Sequence, residues 1–147
     1  MSYREKSTWV QFVSTIIVFI PYFVWFLFNL DRSTATFGVS FSMAVVASII
    51  LNVGGHVFIL MRSTEERPDE RDWMIEYRSL RWGYFIHAIV MFLSIGLVLA
   101  FVISQSSPES HLLKPVVICH LFLFCFVLAE MVRYGRAVLL YRRGVPA

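Results

Sequence analysis

Three histidines and one glutamate lie inside long apolar runs of this chain: His56, His87, His120 and Glu130. An ionisable side chain in hydrocarbon is expensive, and where one occurs it marks a pathway, a relay or a ligand site by default. At about 1.5 Å of rise per residue, position along each run gives depth. His56 sits near the end of its run, His87 just inside the start of the next, and Glu130 near the end of the last. Those three therefore share a level, and His120 lies deeper, near mid-bilayer. Two imidazoles and a carboxylate at one level can hold a transition metal. His56 and His87 alone can clamp a haem as axial ligands from two helices. The same trio can relay protons. Asn52 joins this set, because Ser48, Asn52 and His56 recur every fourth residue and share a helix face. Gly83, His87 and Ser94 form a matching stripe, so His56 and His87 are expected to face each other. Glu130 reaches them only if the Cys119–Phe126–Glu130 face turns inward. In the plainer alternative, each histidine makes one interhelical hydrogen bond and Glu130 reaches toward Arg133.

Other chemistry is not encoded. His-x-x-His, His-Glu-x-x-His and Cys-x-x-Cys spacings are missing, as are a Gly-rich phosphate loop and Gly-x-Ser-x-Gly. The size and span count are similar to those of membrane-associated glutathione and eicosanoid enzymes. The arginine–asparagine–glutamate pattern on their second span does not occur here. An enzyme is therefore not expected, and no cofactor is predicted unless the histidines bind haem or a metal. Cys119 and Cys125 are six apart, on different faces and about 9 Å apart in rise, so they cannot bridge within one helix. They read as small buried hydrophobes.

The elements that must position these residues are four apolar runs: 9–30, 38–61, 82–104 and 112–132. The chain has 147 residues, 58% hydrophobic and 16% charged. Roughly 20 apolar residues cross the hydrocarbon core. The first run is 22 residues without a charge and reads as a retained signal anchor, bent at Pro21. The second is richest in small residues and is expected to be the most buried. Pro115 fits the first turn of the fourth. The prediction is an all-α, polytopic, single-domain protein, its four transmembrane helices arranged as two antiparallel hairpins.

Thirteen lysines and arginines set the orientation. Arg32 and Lys114 flank the short loops 31–37 and 105–111. The other eleven lie at the opposite side, with both termini and the loop 62–81. That asymmetry places the termini in the cytoplasm. It also accounts for the net charge of +3 without a nucleic-acid partner.

The loop 62–81 is the distinctive segment. Pro68, Asp69 and Glu70 begin a helix that Arg78 and Arg81 end, an order that suits the helix dipole. A short amphipathic helix is expected here, leading into the third span. Asp69, Asp72 and Glu76 form an acidic stripe, and Arg67, Arg71 and Arg78 a basic one opposite. Trp73, Tyr77 and Leu80 make an apolar edge between them, suited to the headgroups. The stripes are candidates to pair with Arg133, Arg136 and the C-terminal arginines, or with a partner protein.

Asp69-Glu70-Arg71-Asp72, Ile75 and Arg78-Ser79-Leu80-Arg81 resemble a motif of small prokaryotic four-helix membrane proteins, a family of unknown function. Its pattern is D-E-R-(D/E)-x-x-I-x-x-(R/K)-(A/S)-x-(R/K) before a span. The resemblance implies a bacterial or archaeal cytoplasmic (inner) membrane and supplies no activity. The leading expectation is a non-enzymatic interaction or regulatory component acting through the charged loop and tail. Its partners would be the lipid bilayer and either a second copy or another membrane or cytoplasmic protein. The alternative is a small oligomeric proton-coupled transporter, or a metal- or haem-binding protein, using His56, His87 and Glu130.

Overall fold

Each apolar run folds as one helix, and most of these helices extend well past the run that predicts them. The computed structural model describes residues 2–30, 32–62, 69–104 and 115–143. Its elements are α1 (Tyr3–Phe28), α2 (Thr34–Arg62), α3 (Glu70–Ser104) and α4 (Pro115–Arg143). All four are long and apolar enough to cross a membrane. The loop 105–111, Lys114 and Arg67 lie outside the described residues.

The helix starts follow from short polar side chains. Ser2 caps α1, its hydroxyl accepting from the Glu5 amide at 3.2 Å. Asp69 caps α3 by accepting from the Asp72 amide at 2.7 Å, and the Asp72 carboxylate accepts the Asp69 amide at 3.4 Å. This is a reciprocal box that satisfies two orphan donors. Among the described residues no separate amphipathic helix precedes the third span. The segment from Glu70 is the first turns of one uninterrupted 35-residue helix. Likewise α1 continues through Pro21, and α4 continues to Arg143, about ten residues beyond its apolar run.

Packing runs in the order α2, α1, α4, α3, while α2 and α3 share at most a marginal contact. The core lies where α1 and α4 meet: Tyr22, Phe23 and Val127, with Phe19, Phe41, Ala44, Leu123 and Met131 around them. Only 6% of the most apolar stretch of α2 is buried, against 22% in α1 and in α4. The second run is thus the least buried, which corrects the expectation drawn from its small residues. A small residue permits close approach only on a face that meets a neighbour. Gly38 and Gly54 face open space, whereas Gly55 sits directly under Val10 of α1. On the other flank, a Cβ on Gly83 would lie 2.9 Å from the Arg133 Cβ and 3.3 Å from the Ala129 carbonyl. The α3–α4 contact therefore depends on that glycine. The outer faces of α2 and α3 carry exposed Met43, Val46, Ile50, Val57, Phe85, Phe92 and Leu97. So much continuous apolar surface is the signature of a lipid or protein contact.

Candidate functional site

Because α1 packs on both α2 and α4, it floors a space that α2 and α4 leave between them. The result is a cavity of about 460 Å³. Its far end is lined by apolar side chains, Phe19, Phe41, Val45, Leu123, Phe126 and Val127. Toward the arginine-rich end its walls are polar. Gln11 and Thr15 come from α1, Ser48, Asn52 and His56 from α2, and Glu130 and Tyr134 from α4. Each set steps by four, so each is a ladder on one helix face. Three helices thus turn polar ladders toward one space.

Several of these groups are half occupied. The Thr15 hydroxyl donates to the Gln11 carbonyl at 2.7 Å. The Asn52 amide donates to the Ser48 carbonyl at 2.8 Å, which fixes the side chain and leaves its Oδ1 free of partners among the described residues. His56 Nδ1 lies 3.4 Å from the Ser7 hydroxyl, and its Nε2 has no partner there. Glu130 Oε2 accepts from Arg133 Nη1 at 3.3 Å. That contact matches the plainer expectation for Glu130, yet the carboxylate also lines the cavity. A carboxylate offers roughly four lone-pair sites; Arg133 occupies one and the Tyr134 hydroxyl, on the next turn, faces another.

The five candidate intramembrane residues therefore separate. Asn52, His56 and Glu130 share the cavity, and His87 and His120 do not line it. The expected His56–His87 facing pair does not form. The nearest partner of His56 is on α1, and the ring of His87 packs edge-on against Phe126 of α4 at 6.3 Å. The helix order explains this, since α2 and α3 occupy opposite flanks of the α1–α4 pair. His87 Nδ1 is buried without a partner among the described residues. Among those residues, no group of three His, Cys, Asp or Glu is arranged to hold a metal ion.

His120 is a satisfied core residue. Its Nδ1 lies 2.6 Å from the Val116 carbonyl and its Nε2 2.5 Å from the Tyr22 hydroxyl. Its ring stacks parallel on Phe26 at 4.1 Å and meets Phe37 edge-on. A single neutral tautomer, donating from Nδ1 and accepting at Nε2, completes every bond. Of the cysteines, Cys125 is buried against Ser94, 3.0 Å between Sγ and Oγ, while Cys119 is exposed rather than buried.

The acidic stripe of α3 is turned onto the start of α1 and the end of α4. Arg4 Nη1 lies 3.6 Å from Glu76, and Arg4 Nε 4.0 Å from Asp72. The Tyr141 hydroxyl donates to Asp72 Oδ1 at 2.9 Å, and Arg71 donates to the Tyr141 carbonyl at 3.2 Å. Asp69 is the cap of α3, and Arg78 is exposed. The partners are thus Arg4 and Tyr141, not the expected Arg133 and Arg136. Those arginines lie over aromatic rings instead, Arg136 over Trp82 at 5.6 Å and Arg133 over Tyr134 at 5.3 Å. Burial, then the Asp72 carboxylate, push the Tyr141 hydroxyl well above its ordinary range, so it remains a donor at neutral pH. The buried face of this segment is Ile75 and Ser79, 1% and 2% exposed. Trp73, Tyr77 and Leu80 remain exposed, as an edge resting on headgroups requires.

Gln11, Thr15 and Tyr134 belong to the site and were not singled out in the sequence. The available signal was the four-residue spacing of Gln11 with Thr15 and of Glu130 with Tyr134. No family model, no curated protein and no solved structure matches this chain.

Proposed function

We propose that this chain is a multi-pass protein of a prokaryotic cytoplasmic membrane, built as two antiparallel hairpins with both termini in the cytoplasm. Its activity is to bind a small molecule in the cavity between α1, α2 and α4, without catalysing a reaction. The eleven-to-two distribution of lysine and arginine supports the orientation. The convergence of three polar ladders on one cavity carries the binding reading. The hydrogen-bonding capacity left over at Asn52 and His56 adds to it, since unpaired polar groups facing hydrocarbon are costly. In this reading the charged segment at the start of α3 clamps the helix ends, and the cavity is the working site.

Native mass spectrometry of detergent-released protein tests this. The wild type should carry a bound small molecule that the cavity-filling variant Val45→Trp lacks. Identical spectra from the two folded proteins would end the proposal. A phosphatase reporter fused after Arg143 should be silent; activity there would overturn the orientation.

A further inference from the structure

We infer that the cavity selects an organic ammonium ion with an apolar body, a deepening that rests on the binding reading above. Three observations converge. First, Glu130 is the carboxylate in the wall, and no lysine or arginine lines the cavity among the described residues. Arg133 binds Glu130 Oε2 from the next turn and lies over the Tyr134 ring, which leaves the carboxylate capacity toward the cavity. Second, Tyr134 shares the polar end with Glu130, and Phe126 lies one turn deeper on the same helix, where the apolar end begins. Aromatic faces attract cations, most strongly where water is excluded. Third, Asn52 Oδ1 is an acceptor held toward the cavity by the bond its own amide makes to Ser48. An anion would meet the Glu130 charge at short range, and a neutral apolar molecule would leave the Asn52 Oδ1 acceptor unmatched. The volume of about 460 Å³ lies in the range of sites for single small organic ligands.

The test uses the full chain in maltoside micelles and calorimetric titration with three probes of similar shape. These are benzylammonium, its uncharged isostere ethylbenzene, and the anion phenylmethanesulfonate. The cation should bind about tenfold or more tighter than the isostere, the value of one charge-assisted contact, and the anion should not bind. Glu130→Gln should erase that preference, with the cation and ethylbenzene then binding alike. Val45→Trp, which leaves the Glu130–Arg133 pair intact, should abolish binding of both. Equal binding of cation and isostere, unaltered by Glu130→Gln, would overturn the ammonium inference and leave the binding cavity standing. Binding of none of the three probes, or binding that Val45→Trp leaves intact, would overturn it as well. The native mass spectrum then decides separately whether the cavity reading also falls.

Discussion

His120 and His56 lie in the same bundle, one residue type in two opposite situations. At His120 both ring nitrogens are engaged and the ring is sandwiched among Phe26, Phe37 and Tyr22. At His56 one nitrogen has a long contact to Ser7 and the other faces a cavity. A polar residue inside an apolar helix is therefore not a functional mark by itself. What marks function is residual hydrogen-bonding capacity turned toward space that a ligand can fill.

Substitutions can break this contrast. The largest effect is expected at His120. His120→Leu removes the acceptor of the buried Tyr22 hydroxyl and should cost about 3 kcal/mol of stability, seen as a lower thermal midpoint in detergent. Tyr22→Phe on that background should recover part of the loss, because the stranded donor goes with it. If His120→Leu is silent, the saturated site is no better anchored than the open one.

An intermediate effect is expected where α3 meets the end of α4. The folded-state pKa of Tyr141 is raised above its ordinary value of 10.0. Its contribution to stability is then fully present below about pH 10 and declines as pH rises above that value. Thermal midpoints measured from neutral pH to about pH 11 should therefore fall more steeply in the wild type than in Tyr141→Phe. Parallel curves would mean that the Asp72–Tyr141 contact does not hold the helix ends together.

The smallest effect is expected at His56. His56→Ala should change stability by less than about 1 kcal/mol, because little is engaged there. A loss as large as that of His120→Leu would erase the contrast and return His56 to a structural role.

Much of the architecture is legible in sequence, because a membrane core demands length and hydrophobicity of each helix independently. The start of α3 is equally local, although Asp69 reads in sequence as a first-turn residue and the structure makes it the cap. Helix partners are not legible. In lipid, an apolar face gains little by choosing a protein neighbour over a tail, so the pattern along α2 and α3 does not reveal which side is covered. For that reason Gly54 and Gly55 read alike, although only Gly55 meets a neighbour. For the same reason equal depth placed His56 opposite His87, when α1 and α4 lie between their helices. The level shared by His56 and Glu130 was legible, and the α1 ladder that completes the site needed the fold.

The last turns of α4 lie against the first turns of α1, with the Arg142 guanidinium 4.9 Å from the Trp9 ring. The start of α1 and the end of α4 are thus stapled side by side rather than left independent. A short linker joining the first turn of α1 to the last turn of α4 should need little rearrangement. Complementary halves of a split reporter, one on each end, should reassemble within a single molecule.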